Sequence, residues 1–192
     1  MGTIPDSGQA FLNRTFVVVL PLGYAEWVRQ AQAVFQAKRS QYGESWAELS
    51  FSSLVDLLYI KAQRIRTLLQ QGGPPATGES PLNDWLALAN YAALAALRLT
   101  SNLTPENLEQ GLALVHQEAQ ALLQRKNTDY GEAWRHLRPL AFIEFILMKL
   151  ARIRQMDGEL SSNAPAIRDN LLDIINYAFL YLVRYGDTSG TA

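Results

Sequence analysis

Residues 126–156 read KNTDYGEAWRHLRPLAFIEFILMKLARIRQM, and residues 38–68 read KRSQYGESWAELSFSSLVDLLYIKAQRIRTL. Shifted by 88 positions, the two stretches match at Lys38/Lys126, Tyr42/Tyr130, Gly43/Gly131, Glu44/Glu132, Trp46/Trp134, Leu49/Leu137, Lys61/Lys149, Arg64/Arg152, Ile65/Ile153 and Arg66/Arg154. That is ten identities in 29 positions, where about two follow from ordinary residue usage. A second block matches at an offset of 86: Leu86/Leu172, Asn90/Asn176, Tyr91/Tyr177, Ala92/Ala178, Leu94/Leu180 and Arg98/Arg184. The change of offset falls in the connection before that block, where length variation belongs. The chain is a tandem repeat.

The totals bound what such a repeat can be. With 192 residues, 48% of them apolar, there is ample material for a packed core. The formal charge of −1, from 17 basic and 18 acidic residues, gives no global field to recruit nucleic acid or an anionic membrane. There is no cysteine, which excludes disulfides, thiolate catalysis and Cys-ligated zinc and suits a reducing, cytoplasmic setting. The two histidines, His116 and His136, stand where the first copy has Val28 and Glu48. A zinc site or a Ser-His-Asp triad repeated in both halves is thereby excluded. The apolar run 16–22 is too short to span a bilayer and is broken by Pro21.

Periodicity predicts six helices and an all-α fold. Trp27, Val28, Ala31, Val34 and Phe35 mark a helix over 24–38. A loop follows at 39–50, then a helix over 51–70 opened by a Ser53/Asp56 capping box. QGGPPATGES is a breaker at 71–80, and an Ala/Leu-rich helix runs from about 81 to 99 with proline in its first turn. In the second half, Thr104-Pro105-Glu106 predicts a helix start, and the helix continues to Lys126. Residues 127–138 form the motif loop, Pro139 opens a helix to Met156, residues 157–165 are a linker, and the last helix covers 166–185. The expected organisation is an arm (1–23), repeat 1 (24–100), repeat 2 (101–185) and a tail (186–192). Each three-helix unit alone would expose an apolar face, so both repeats share one core in a helical bundle with pseudo-two-fold symmetry.

The polar residues within apolar helices are the candidates for chemistry. Lys149 sits among Phe145, Ile146, Arg152 and Ile153 with no carboxylate one turn away, and Lys61 among Leu57, Leu58, Arg64 and Ile65 repeats the situation. Such a Lys/Arg pair calls for an anion, either a carboxylate from another helix or a ligand phosphate. In the last helix Asp169, Asp173 and Asn176 share a face, and the carboxylates could pair with Lys149 and Arg152 or hold Mg²⁺. The first copy has Asn83, Ala87 and Asn90 there, which places any metal site in the second half. The motif Lys-x-x-x-Tyr-Gly-Glu-x-Trp either buries its rings in the core or offers them to a base. His136, in a polar run, reads as a solvated loop residue.

KNTDYGEAW, followed by the LMKLARIRQM helix and closed by DIINYA, resembles the nucleotide modification associated domain family of type one, in its tandem form. The pattern falls on Lys126, Asp129, Tyr130, Gly131, Trp134, Lys149, Arg152, Asp173, Asn176 and Tyr177. Repeat 1 departs from it with Gln41 for Asp129 and Ala87 for Asp173. The resemblance implies a link to nucleotide metabolism or modification. The layout is also similar to the all-α nucleoside triphosphate pyrophosphatases, although their paired acidic motifs are absent in the needed places.

Two readings stand open. In one, a nucleotide or nucleoside phosphate binds in a cleft of repeat 2 through Lys126, Tyr130, Trp134, Lys149, Arg152 and Asn176, with Asp169 and Asp173 on Mg²⁺ and the repeat-1 counterparts Lys38, Tyr42, Trp46, Lys61, Arg64 and Asn90. If the protein is an enzyme, it then acts on a nucleotide phosphate or base. In the other, the motif is architectural and the protein is a helical interaction module.

Overall fold

The structure, a computed structural model, describes residues 20–72, 75–100 and 104–186; most of the expected arm (1–19 of 1–23) and of the expected tail (187–192 of 186–192) lies outside them. Six α-helices follow in order: α1 (Tyr24–Tyr42), α2 (Phe51–Gln71), α3 (Pro81–Thr100), α4 (Leu108–Tyr130), α5 (Pro139–Met156) and α6 (Leu160–Tyr185). Short 3-10 turns at Ser45–Glu48 and Ala133–His136 carry the motif tryptophans. At the 88-residue offset these two turns coincide end for end, and α2 and α5 start at equivalent positions. Among the described residues there is no strand, and no helix is long and apolar enough to cross a membrane.

The packing follows the repeat. α2 lies on α3 as α5 lies on α6, and α1 lies on α3 as α4 lies on α6. The crossing contacts are reciprocal, because α1 reaches α6 and α4 reaches α3, while α2–α5 and α3–α6 pair across the middle. A translational stack would leave the last of these faces open; reciprocal contacts close the set, as a two-fold arrangement does. The two repeats therefore share one core.

α3 and α6 are its centre. α3 is buried nearly all round from Asp84 to Leu97, rich in alanine, and α6 is buried through most of Leu171–Leu182; helices apolar on every side belong inside. Trp85 of α3 stacks on Tyr181 of α6 with centroids 3.8 Å apart. Phe179 of α6 packs in T-shaped geometry against Tyr24 of α1 and His116 of α4, with centroids 5.2 and 5.8 Å apart. Two asparagines at equivalent positions tie the last helix of each repeat to its first: Asn90 Nδ2 donates to the Ala31 carbonyl at 2.8 Å, and Asn176 Nδ2 to the Ala119 carbonyl at 2.9 Å. Burying an amide in such a core requires partners of this kind.

Several boundaries differ from the sequence reading. α1 and α4 run on to Tyr42 and Tyr130, because nothing in 39–42 or 127–130 breaks a helix before the glycine. Thr104-Pro105-Glu106 is not the start of α4. It forms a turn, with Asn107 N–H donating to the Thr104 carbonyl at 3.2 Å and Thr104 N–H to Asn107 Oδ1 at 3.0 Å; proline suits the second position of a turn as well as it suits a helix start. The expected 157–165 linker is mostly helix. α6 begins at Leu160 and carries Pro165 inside it, and the Ser161 carbonyl, which the proline cannot bond, sits on an exposed residue. The cap of α2 is Ser50, whose side chain accepts from Ser53 N–H at 3.1 Å, not Ser53 itself.

His116 is 3% exposed, and burial pushes its imidazole down to about 4. Between about pH 6.5 and 4 the unfolded chain binds a proton that the folded chain refuses, so stability is full above that window and falls as pH falls through it. The loss is about 3 kcal/mol below pH 4. Urea unfolding across this range should show the slope in the wild type, and His116→Val should remove it.

Candidate functional site

Each repeat contains a buried carboxylate that two cations share. In repeat 1, Asp84 of α3, 1% exposed, accepts from Lys61 Nζ at 2.8 Å and from Arg64 Nη1. Arg64 also donates to Thr77 and to the Glu79 carbonyl. In repeat 2, Asp173 of α6 accepts from Lys149 Nζ at 2.8 Å through Oδ2 and from Lys126 Nζ through Oδ1. The anion that Lys149 and Lys61 call for is thus a carboxylate from the neighbouring helix in both halves. The two clusters are not copies: the position equivalent to Asp84 is Asn170, and that equivalent to Asp173 is Ala87. The carboxylate has moved by one helical turn, and a different third cation is released in each half. In repeat 1 that is Lys38, exposed on α1; in repeat 2 it is Arg152, exposed on α5. Neither has an ion-pair partner among the described residues.

The repeated motif forms one pocket per repeat, at equivalent positions. The first, of about 460 Å³, lies between the end of α1, the 3-10 turn and α3, and is walled by Phe35, Lys38, Arg39, Tyr42, Trp46, Asn90 and Tyr91. The second, of about 330 Å³, is walled by Leu123, Lys126, Asn127, Tyr130, Trp134, Asp173, Asn176 and Tyr177. Both fall in the size range of small-molecule sites. Their linings differ in charge. Repeat 1 presents Lys38 and Arg39 and no carboxylate, with Ala87 where repeat 2 has Asp173. Arg39 is itself engaged by Glu44 at 2.6 Å and Glu109 at 3.4 Å. Lys38 is the cation left for a ligand.

The turn that frames each pocket depends on its glycine. Gly43 and Gly131 have φ of +65° and +58° with ψ near −150°, a region open to glycine alone. The chain reverses there, leaving Tyr42 and Tyr130 at the rim, 65% and 72% exposed, and driving Trp46 and Trp134 inward. The motif rings therefore divide, tryptophan to the core and tyrosine to the pocket mouth. Trp46 Nε1 donates to Glu44. Trp134 Nε1 is buried without a partner among the described residues, because Glu132 is held by Arg135 at 2.6 and 2.9 Å, and Ala47 stands in Arg135's place in repeat 1. From behind, Arg98 donates to the Ala47 carbonyl at 2.7 Å and Arg184 to the Trp134 carbonyl at 3.4 Å, which fixes both turns.

Of the residues singled out in the sequence, Lys126, Tyr130, Trp134, Asn176 and Asp173 come together in one pocket and Lys38, Tyr42, Trp46 and Asn90 in the other. Lys149, Arg152, Lys61 and Arg64 line neither. Asp169 is exposed, and both oxygens of Asp173 are taken by ammonium groups. Asp173 and Asp169 do not fit Mg²⁺ as they stand, since a divalent cation would have to displace two like charges. Among the described residues no three His, Asp or Glu side chains are grouped to hold a metal. Asp84 was missed because the fixed 86-residue offset pointed to Asn83 and Ala87; it is the one acidic residue of α3, and that signal alone identifies it as the partner of Lys61.

Fold and site define an all-α tandem-repeat protein with a pocket built by each copy of its motif. The chain belongs to the nucleotide modification associated domain 1 family, whose model matches residues 38–99 and again 126–185. No curated protein matches the chain, and neither does any solved structure.

Asp173→Ala leaves two ammonium groups facing each other in a largely buried place and should lower the unfolding free energy by about 3–5 kcal/mol. Lys149→Met should cost less, because Lys126 still holds the carboxylate. Urea denaturation measures both, and an Asp173→Ala protein within about 1 kcal/mol of wild type would show the cluster to be no stronger than a surface pair.

Proposed function

We propose that the protein binds a nucleotide or nucleoside phosphate in the pocket of repeat 1. The observation that carries the reading is Lys38, an exposed ammonium at the wall of a pocket of about 460 Å³ that has aromatic rings on several sides and no carboxylate among its lining residues. A phosphate is the natural partner of such a group, and Tyr42 at the rim and Phe35 and Tyr91 in the walls offer flat surfaces for a base. The membership of the family agrees with this direction. The role that the sequence assigned to the central-helix cations passes to α1, since Lys61 and Lys149 already have carboxylates. The repeat-2 pocket, in which Asp173 neutralises Lys126, is the poorer site for an anion. Mg²⁺ enters this reading as the counter-ion of the phosphate and not as a resident of Asp169 and Asp173.

A second reading has support of its own. Asn176 and the two carboxylate clusters are satisfied by the Tyr24 hydroxyl, the backbone or lysine and arginine side chains across helix interfaces, as the architectural hypothesis requires. Those residues are accordingly structural in both readings, and the difference rests on Lys38 and the rim.

Thermal unfolding with nucleoside mono-, di- and triphosphates, with and without Mg²⁺, tests the proposal. A ligand present at 100 times its dissociation constant stabilises by about 2.7 kcal/mol. Lys38→Met should weaken binding at least tenfold, as loss of one charge-assisted contact of about 1.5–3 kcal/mol requires, while Lys126→Met should leave it unchanged. Stabilisation that survives Lys38→Met would remove the phosphate from this pocket.

A further inference from the structure

Beside the repeat-1 pocket lies a second cavity, of about 340 Å³, that shares Phe35 and Asn90 with it. Its other walls include Gln32, Gln36, Glu109, Leu112 and His116, so it lies between α1 and α4 and is lined by hydrogen-bonding groups with little positive charge. Comparison with the other half shows why it is open. At the equivalent place in repeat 2, Tyr24 is fully buried and its hydroxyl donates to Asn176 Oδ1 at 2.7 Å. Leu112 stands in the position of Tyr24, and His116 in that of Val28. Asn90, like Asn176, donates its Nδ2 to a backbone carbonyl, here that of Ala31, but with no hydroxyl opposite its Oδ1 has no donor among the described residues. His116 likewise makes no hydrogen bond among the described residues, and its Nδ1 is fully buried, which leaves Nε2 as the nitrogen to face the cavity. Two polar atoms without protein partners thus line the cavity, in the half where the repeat's own plug has been withdrawn, and the water they meet there can be exchanged for the hydroxyls of a ligand.

We propose that this cavity receives the ribose of the ligand, Asn90 Oδ1 accepting a hydrogen bond from one of the vicinal hydroxyls and His116 Nε2 bonding the other. The inference rests on the phosphate reading of the adjoining pocket and narrows it to ribonucleotides, since Asn90 belongs to both cavities. A neutral imidazole suits the task, because it can meet a hydroxyl without bringing a charge, and the burial that holds His116 neutral serves that end. Gln36, which donates to Glu109 Oε1 at 2.8 Å, lines the same cavity.

The test compares the affinities of the common ribonucleoside 5′-monophosphates, their 2′-deoxy forms and phenyl phosphate by titration calorimetry, for the full chain and for His116→Val and Leu112→Tyr. Valine and tyrosine are the residues that the other repeat carries at these positions. The wild type should prefer at least one ribonucleotide over its 2′-deoxy form by tenfold or more, as a site made to bond a hydroxyl does. Both variants should reduce that preference to about unity. As a measurement that needs no variant to fold, ribonucleotide but not phenyl phosphate should shift the imidazole NMR signals of His116; the only other histidine, His136, serves as the internal control. Phosphate ligands that bind through Lys38 without ribose preference, or a preference that survives His116→Val, would overturn the ribose site and leave the phosphate reading intact. Failure of every nucleotide and of phenyl phosphate to bind would overturn the phosphate reading itself.

Discussion

An aspartate inside a helical core must be neutralised where it stands, and two such residues organise this protein. Asp84 and Asp173 each sit on the last helix of their repeat and draw in cations from its neighbours. The desolvation cost of one buried carboxylate is large, so its partners have no freedom to serve elsewhere. Which lysine or arginine remains available to a ligand is therefore decided by where the aspartate lies along the helix. A shift of one turn between the repeats leaves Lys61 and Lys149 paired alike and exchanges the roles of the other two, so that Arg64 is held and Lys38 released in one half and Lys126 held and Arg152 released in the other.

That shift accounts for the contrast between the two pockets. Both are framed by the same glycine turn, the same buried tryptophan and the same arginine behind the turn. The framework is common property of the repeats, and the differences lie on the walls: Ala87 against Asp173, Arg39 against Asn127, Phe35 against Leu123. Identical residues in the two copies are mostly those that hold the fold. The residues in which the copies differ set the charge and volume of each cavity.

Much of this was legible before any coordinates. The repeat, the six helices and the shared core follow from spacing, since identical offsets and helical periodicity leave few alternatives. That Lys61 and Lys149 need an anion was also legible, from the absence of any carboxylate within a turn. Which anion was not. A sequence shows what lies along one helix, whereas Asp84 and Asp173 meet their partners across an interface between helices, and the repeat register pointed one residue away from Asp84. The cavity beside His116 was illegible for a related reason: it depends on what Tyr24 does in the other half, a comparison that has meaning only once the crossing of α1 over α6 and of α4 over α3 is known.

That reciprocal crossing has a consequence for how such a protein can acquire function. A single repeat of this kind has its natural partner in a second copy of itself, and in a homodimer every substitution occurs twice, so a cavity cannot open on one side while being plugged on the other. Covalent joining of two copies removes the constraint. One half can keep a large ring such as Tyr24 as filler while the other gives it up, and the stability forgone on the open side is borne by the closed one through the core they share.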